Sequence, residues 1–307
     1  MNREIRKLLL FLVPAALILL ATDITIGLTL EKLYDRMRTG EKARANFAIK
    51  KASPDVFIFG SSRALYHYNP KVLEDSLKLT VYNAGRSNQS VLYHLAILRS
   101  ILNRHQPKLI VLDVNEDELE QEALKYELLS ALYPYYHIDT TIGNFLRKVD
   151  PSTNTLALSR SLPFNSTLFA VLYRGVFPGE GRGEDYNGYM YKERTHEEDI
   201  KVEDNCGFQP TYDPALINSL NEFITLCQSR HIPLVLSISP RFTRFNCDRP
   251  EVVKIERIAQ SRNVRFFNFT RELQIREYFV DPGHLNVRGS IEYTSLFAQE
   301  LRKLPNY

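Results

Sequence analysis

Short runs of consecutive apolar residues alternate along the chain with longer segments whose apolar residues recur at helical spacing. The apolar runs lie at 55–60, 79–85, 108–114, 232–239 and 264–269, and the helical segments at about 70–78, 88–104, 213–231, 249–262 and 287–303. Runs that are apolar throughout are typical of strands buried on both faces, as in parallel sheets covered by helices. The alternation therefore predicts an α/β fold with a parallel sheet and right-handed crossovers.

The N-terminal region departs from this alternation. Residues 8–30 are apolar except for Asp23 and a few threonines. A helix of that length, at about 1.5 Å per residue, can cross a hydrocarbon core of about 30 Å. No clean small-x-small cleavage site follows, so the sequence favours an uncleaved membrane anchor at 1–30 over a signal peptide. The charged residues 31–51 then predict a helical stalk that leads away from the bilayer.

Charge leaves the orientation of this anchor open. Arg3, Arg6 and Lys7 precede the apolar stretch, and more basic residues follow it, between 32 and 50. Counted directly, the positive-inside rule places the large C-terminal part in the cytoplasm. A short N-terminal tail before one anchor is nevertheless the usual arrangement of an exported domain.

A second interruption lies within the α/β domain, which the pattern places at 52–307. Residues 116–212 are too long for an ordinary loop, and we interpret them as a cap inserted beside the site, or else as a loose surface excursion. Its tyrosines offer flat, partly polar surfaces for a sugar, or alternatively pack the cap's own core. They are Tyr133, Tyr135, Tyr136, Tyr186, Tyr189 and Tyr191.

Composition excludes several classes of protein. A hydrophobic content of 44% and a charged content of 24% argue against disorder. A net charge of +3, with no basic run interleaved with aromatics, gives no support for nucleic-acid binding. No phosphate-binding loop or metal cluster occurs, so we expect no cofactor. Cys206 and Cys247 either form a disulfide or, with Cys227, are three separate small apolar residues.

Polar and glycine residues follow the predicted strands. They are Gly60-Ser61-Ser62-Arg63 after the first strand, Asn83-Ala84-Gly85 after the second, Asp113-Val114-Asn115-Glu116 after the third, and Asp281 with His284 before the last helix. In parallel sheets, ligand sites form at the carboxyl ends of the strands. Each group alone has an ordinary structural explanation: a helix N-cap, a turn, or a local hydrogen bond between Asp281 and His284.

Taken together, these groups resemble the sequence blocks of the SGNH hydrolases, the GDSL-type esterase superfamily. Ser62 matches the nucleophile of the first block, Gly85 the glycine of the second, Asn115 the asparagine of the third, and Asp281 with His284 the closing Asp-x-x-His. The resemblance covers about residues 52–303, apart from the insertion. With the alternation above, it implies three layers, α/β/α, around a flavodoxin-like parallel sheet.

The resemblance also implies roles for these residues. His284 takes the proton of Ser62 as the hydroxyl attacks, and Asp281 holds the imidazole in the correct tautomer. The oxyanion hole is then formed by the N–H of Ser62, the N–H of Gly85 and the side-chain amide of Asn115. The other histidines lack such support and are interpreted as surface or core residues: His67, His94, His105, His137, His196 and His231.

Two residues depart from the family pattern. Ser61 stands where the family usually has Asp, as in membrane-anchored relatives that are similar to proteins assisting the O-acylation of envelope polymers; we interpret it as a helix cap or a supporting residue. Asp113 stands where the third block usually has Gly, and its bulk could re-aim the amide of Asn115.

The resulting hypothesis is a membrane-anchored serine esterase or O-acyltransferase. It acts on acyl esters, in particular acetyl esters, of a cell-envelope glycan, and its large domain lies outside the cytoplasm. Its expected partners are the bilayer, through residues 8–30, the acylated glycan and a membrane-bound acyltransferase. The alternative is a catalytically silent protein that keeps the fold and binds or presents a glycan for that acyltransferase.

Overall fold

A computed structural model of the chain describes residues 3–179, 186–204 and 206–304. Its α-helices, in chain order, are α1 (Arg3–Arg36), α2 (Gly40–Lys50), α3 (Ser62–His67), α4 (Pro70–Leu77), α5 (Val91–Ile101), α6 (Leu124–Glu127), α7 (Thr140–Val149), α8 (Leu168–Val176), α9 (Pro214–Ser229), α10 (Pro250–Ser261) and α11 (Val287–Arg302). Its strands are β1 (Val56–Gly60), β2 (Val81–Asn83), β3 (Leu109–Asp113), β4 (Lys201–Glu203), β5 (Leu234–Ile238), β6 (Thr243–Phe245), β7 (Arg265–Asn268), β8 (Phe279–Asp281) and β9 (His284–Leu285).

The central sheet has five parallel strands in the order β2-β1-β3-β5-β7. These are the five predicted apolar runs, and their order is that of a flavodoxin-like sheet. In the register of the sheet, Gly60 lies opposite Asp113, and Asp113 lies opposite Ser237. The predicted fold class is therefore confirmed, and the ends of β1 and β3 meet at one edge.

Helices cover both faces of this sheet, because alternate side chains of a strand point to opposite sides. Val56 and Ile58 belong to the apolar cluster that includes Phe297 of α11. Phe59, between them and the end of the strand, packs edge-to-face with Phe223 of α9. Every residue of β1 is buried, which explains why this run shows no polar alternation.

The chain forms two compact units. One consists of Met1–Ala43 with Ser130–Glu180, and the other of Arg44–Leu129 with Gly181–Tyr307. The middle of the predicted insertion thus groups with α1, whereas its two ends belong to the unit that contains the sheet. The boundary between the units falls within α2, and Ala48 and Ile49 of this helix are buried. Membership of a unit depends on contacts between segments far apart in sequence.

Helix α1 of the first unit is long and apolar enough to cross a membrane, as a single-pass anchor or a signal sequence is. Nearly all its side chains from Ile5 to Thr22 are exposed, and Pro14 lies within the helix. Burial begins only near its end, where Gly27, Leu30 and Tyr34 pack inside the unit.

A disulfide joins Cys206 to Cys247, with a Cα–Cα distance of 5.3 Å. The bond lies next to the two-stranded parallel ladder of β4 and β6. Cys227 is a buried free thiol on α9. Of the two alternatives that the sequence left open for Cys206 and Cys247, the structure contains the disulfide.

Candidate active site

The turn between β1 and α3 depends on a glycine. Gly60 has φ +139°, and a Cβ atom added there would lie 2.4 Å from the backbone oxygen of Asp113. Ser61 occupies the N-cap position of α3, but its side chain makes no capping hydrogen bond. Ser62 is the first residue of the helix, so its N–H has no acceptor within the helix. The tight turn therefore presents Ser62 at the end of the strand.

A hairpin supplies the two other predicted members of the triad. Strands β8 and β9 are antiparallel and pair Asp281 with His284 across a two-residue turn. The carboxylate oxygens of Asp281 lie 2.8 and 3.0 Å from Nδ1 of His284, and the N–H of Gly283 donates to Asp281 Oδ1 at 2.9 Å. The three-residue spacing thus places the carboxylate directly against the imidazole.

The structure brings this hairpin against Ser62. The distance from Ser62 Oγ to His284 Nε2 is 2.8 Å. Because Nδ1 donates its proton to Asp281, Nε2 is the acceptor for the serine hydroxyl. Burial acts to raise the pKa of Asp281, but the hydrogen bond and charge of His284 outweigh it and lower the pKa to about 2. Asp281 is therefore ionised at neutral pH, as a residue that orients a histidine base must be.

The third strand end is held by an arginine to which the sequence assigned no role. Arg63 donates from Nε to Asn115 Oδ1 at 3.0 Å and from Nη2 to the backbone oxygen of Val114 at 3.2 Å. Its Nη1 donates to Glu116 Oε1 at 3.0 Å. Because the oxygen of the Asn115 amide faces Arg63, the NH₂ group is left to point elsewhere. Arg63 follows Ser62 directly, so one turn of α3 positions both.

Glu116 and Asp113 are the buried carboxyl groups next to Asn115. Burial acts to raise the pKa of Glu116, but the charges of Arg63 and Arg241 outweigh it and lower the pKa. Burial raises the pKa of Asp113 to about 6, against the charge of Arg63 and the hydroxyls of Ser239 and Tyr68. Arg63 binds the amide oxygen of Asn115 even though the bulkier Asp113 stands where the family pattern usually has Gly.

Gly85 has a different surrounding from the one predicted. Its N–H donates to Asn83 Oδ1 at 2.9 Å, and a Cβ atom there would lie 2.6 Å from the backbone nitrogen of Leu65. The N–H is thus already used within the turn, and the missing side chain lets the turn pack closely on α3. This geometry does not support the predicted role of Gly85 as an oxyanion donor.

Asn88, unlike Gly85, is among the residues that line the cavity beside Ser62. A cavity of about 230 Å³ is lined by Ser61, Ser62, Asn88, Gln89 and Asn115, among others. Asn88 has φ +60°, and no described residue accepts a hydrogen bond from its N–H. Asparagine adopts the left-handed conformation more readily than most residues, and this was the available signal in the polar turn after β2.

Glu118 is one of four ionisable residues that line this cavity, with Asp117, Glu122 and Lys125. Burial raises the pKa of Glu118 to about 7, although its Oε1 accepts the N–H of Val91 at 2.6 Å. Val91 is the first residue of α5, so the carboxyl group caps that helix. The carboxyl group thus joins the wall of the cavity to the start of α5.

His67 links the hairpin to Ser239, the residue directly after β5. The N–H of Leu285 donates to His67 Nε2 at 3.0 Å, so Nδ1 carries the proton and donates to Ser239 Oγ at 2.9 Å. The ring is fully buried, and burial, with the charges of His284 and Arg63, lowers its pKa well below the ordinary value. His67 was interpreted as a surface or core residue, and nothing in its local sequence indicated this contact.

A segment from the end of the predicted insertion also borders the triad. The N–H of Val287 donates to the backbone oxygen of Lys192 at 2.8 Å. The ammonium group of Lys192 lies 4.3 Å from the centre of the Tyr66 ring, and that ring lies edge-on to His284, with 5.7 Å between ring centres. The chain thus places a cation–π pair beside the imidazole.

The six tyrosines of the insertion differ in accessibility. Tyr135, Tyr136 and Tyr189 are buried and pack the interiors of their own units. Tyr186 and Tyr191 are exposed, and the hydroxyl of Tyr186 donates to Glu74 at 2.7 Å. Only part of the set therefore has a surface that a sugar could contact.

No protein-family model matches the chain, and no curated protein matches it. Among solved structures it is similar to a proposed acylhydrolase from Bacteroides fragilis, at 11% identity and a TM-score of 0.40, covering 84% of this chain and 94% of the other. A proposed lipolytic protein of the G-D-S-L family from Desulfitobacterium hafniense gives 10% identity, a TM-score of 0.37, and coverage of 80% and 98%. A proposed platelet activating factor from Streptococcus pneumoniae gives 12% identity, a TM-score of 0.31, and coverage of 94% and 98%. Similarity at this level says nothing about activity, so the function is inferred below from the site itself.

Proposed function

We propose that the protein is a serine esterase or acyltransferase that uses Ser62 as nucleophile. The observation that carries this proposal is the continuous chain of short contacts from Ser62 through His284 to Asp281. A serine hydroxyl is a weak nucleophile at neutral pH and needs an adjacent base. If the bond between Ser62 and His284 were only structural, it would need neither the ionised Asp281 nor the cavity beside Ser62.

The first half of the reaction forms an acyl-enzyme. Ser62 Oγ attacks the ester carbonyl carbon as its proton passes to His284 Nε2, while Asp281 stabilises the resulting imidazolium. The tetrahedral intermediate then expels the alcohol, which takes the proton from Nε2. The acyl group remains on Ser62 as an ester.

The negative oxygen of the intermediate needs donors that are already in place. Ser62, Asn88 and Asn115 line the cavity beside the nucleophile, and we assign the N–H of Ser62, the N–H of Asn88 and the NH₂ group of Asn115 as these donors. Loss of one such donor typically costs about 3–4 kcal/mol of transition-state stabilisation. Arg63 supports this arrangement because it fixes which end of the Asn115 amide faces the cavity.

The second half of the reaction decides between hydrolysis and transfer. His284 removes a proton from the incoming hydroxyl, which attacks the acyl carbon and releases Ser62. Water as the acceptor gives an esterase, and a sugar hydroxyl gives an acyltransferase. We extend the proposal to acyl esters of a cell-envelope glycan, for which exposed Tyr191 offers an aromatic surface, and to a membrane-bound acyltransferase as partner.

The proposed location is a membrane anchor with the sheet unit outside the cytoplasm. Helix α1 has the length and exposed apolar surface of a spanning helix. The disulfide between Cys206 and Cys247 supports export of the sheet unit, because disulfides persist in oxidising compartments.

A fluorophosphonate probe tests the proposed nucleophile. We expect the probe to label the intact chain and the Ser61→Ala variant but not Ser62→Ala, because only Ser62 Oγ contacts the base. Hydrolysis of a small acetyl ester should fall with Ser62→Ala by a factor on the order of 10⁶. Ser61 is the matched control, since it is the same residue type one position away.

Two outcomes would contradict the proposal. Labelling of the Ser62→Ala variant would place the nucleophile elsewhere. Failure of the correctly folded intact chain to react with the probe or with any acyl ester would favour the silent glycan-binding protein instead.

A further inference from the structure

The unit that contains α1 carries an exposed apolar surface outside α1 itself. We call this surface the apolar rim, and its residues are Leu158, Leu162, Phe169, Leu172, Tyr173, Val176 and Phe177. The most exposed members are Phe169 at 86% and Leu158 at 82%. Soluble surfaces rarely collect large apolar side chains in this way unless something covers them.

A polar clamp fixes part of the rim to a known level of α1. The carboxylate of Asp23 accepts hydrogen bonds from the hydroxyls of Ser159 and Ser161, each at 2.6 Å, and from the N–H of Arg160 at 2.7 Å. Leu158 and Leu162 flank these three residues directly. Both leucines therefore lie at the height of Asp23 along the helix.

That height falls within the bilayer if α1 spans it. The basic residues up to Lys7 mark one interface, and about 20 helical residues cross the hydrocarbon core. The core then ends near Leu28, about five residues beyond Asp23. Asp23 would be unpaired in lipid without the clamp, so the clamp has to enter the bilayer with it.

The clamp segment has the properties that lipid requires. Polar groups in a hydrocarbon region have to be satisfied within the protein. The N–H groups of Arg160 and Ser161 donate to Asp23, and His137 Nε2 lies 3.0 Å from the backbone oxygens of both Leu156 and Ser159. The hydroxyls of Ser159 and Ser161 donate to Asp23 and the guanidinium of Arg160 donates to Glu31, whereas the neighbouring leucines are exposed.

Helix α8 continues the rim. Its inner face packs closely on α1 at Gly175, where an added Cβ atom would lie 2.6 Å from the backbone oxygen of Leu33. Val171 is buried, whereas Phe169 and Tyr173 are exposed. A helix with small or buried residues inside and aromatic residues outside is typical of a helix at a membrane interface.

We propose that the apolar rim is a second membrane-contacting surface, embedded in the lipid of the leaflet where α1 leaves the bilayer. The occupant of this surface is lipid: acyl chains around Leu158 and Leu162, and the headgroup boundary around Tyr173 and Phe177. This inference rests on the membrane anchor of the proposed function. The first unit would then contact the bilayer through two surfaces, α1 and the apolar rim.

Fluorescence in lipid vesicles tests the inference on the full chain. Single cysteines at Leu158, Phe169 and Phe177 are labelled with an environment-sensitive dye, and the unsubstituted chain measures background labelling of Cys227. We expect each dye to emit at shorter wavelength and to lose emission when the lipids carry a doxyl quencher. Asn144, an exposed polar residue on α7, is the control that should remain unquenched.

A dye at Leu17, on the exposed part of α1, separates failure of the rim from failure of the anchor. Quenching at Leu17 with none at the three rim positions would overturn the inference and leave the anchor standing. Absence of quenching at Leu17 would overturn both. Blue-shifted emission at the rim without quenching would also overturn the inference, because it would mean that protein, not lipid, covers the surface.

Discussion

Asp113 is a single buried residue that makes the stability of the folded protein depend on pH. Its side chain is almost fully buried, and burial raises its pKa to about 6, against about 3.9 for an unfolded chain. The folded state therefore binds this proton more tightly than the unfolded state. The stabilisation from the proton is fully present below about pH 4 and is lost as the pH rises through about 6.

The Asp113→Asn variant should remove this dependence. A difference of about two pKa units corresponds to about 3 kcal/mol, so the intact chain should lose about that much unfolding free energy from this group between pH 4 and 7. The variant should not lose it. Denaturant unfolding of both chains at several pH values measures the difference, which cancels the contributions of other titrating groups.

A constant difference between the two chains across this pH range would contradict the prediction. It would mean that the charge of Arg63 and the neighbouring hydroxyls keep Asp113 ionised throughout.

The residues of the site differ in how far the sequence could reveal them. Ser62 stands in a short motif at a strand end, and Asp281 and His284 stand in another before the last helix, so the resemblance of these motifs to one family pattern was enough to predict their proximity. His67 contacts Leu285, which lies 218 residues away, and only the folded chain brings the two together. Asn88 was not singled out because Gly85, three residues earlier, matched the expected pattern, and the sequence does not record that the N–H of Gly85 is used within the turn.

At the scale of elements, the junction between β1 and α3 sets the position of the nucleophile. The backbone at Gly60 is left-handed and touches β3, so neither the conformation nor the space admits a side chain. Gly283, in the turn of the hairpin, is also at the site, but a Cβ atom there would meet only Asp281 Oδ1, at 3.5 Å.

We expect Gly60→Ala to destabilise the protein by about 2–4 kcal/mol, because it combines a strained backbone with overpacking against β3. Gly283→Ala should change the unfolding free energy by less than about 1 kcal/mol. Denaturant unfolding measures both variants. Equal effects of the two substitutions would contradict the special role of the junction.

The elements themselves were largely predictable, but their grouping was not. Four strands of the sheet are buried throughout and appear as mainly apolar runs. The edge strand β7 is exposed or half-buried, and its phenylalanines still marked it as a strand. The stalk and the inserted cap were assigned by position along the chain. Residues 130–179 instead pack with α1 through contacts such as the one between Gly175 and Leu33, which no local pattern records.

At the scale of the whole molecule, the disulfide closes a loop of the sheet unit. Cys206 and Cys247 are 41 residues apart, and a crosslink over such a separation typically contributes about 2–4 kcal/mol by restricting the unfolded chain.

Reductant should therefore lower the unfolding midpoint of the intact chain, and the double variant Cys206→Ser with Cys247→Ser should be less stable by about 2–4 kcal/mol. The double variant is its own control, since its midpoint should not respond to reductant. Thermal unfolding with and without reductant measures all four conditions. An intact chain that ignores reductant would mean that the bond does not form or does not constrain the unfolded chain.

The three members of the triad lie on two pieces of the fold: Ser62 on α3, and Asp281 and His284 on the hairpin of β8 and β9. Asp281 and His284 sit on the same turn, so their contact travels with the hairpin as a single piece. The contact between His284 and Ser62 joins the hairpin to α3, as does the bond from the N–H of Leu285 to His67. The N–H of Phe242 also donates to the backbone oxygen of Pro282, in the turn of the hairpin, at 2.9 Å. Any displacement of the hairpin relative to α3 would therefore lengthen the contact between Ser62 and His284 and leave the contact between His284 and Asp281 intact. The reactivity of Ser62 thus depends on the position of one hairpin, because the pair that activates it is carried there as a unit.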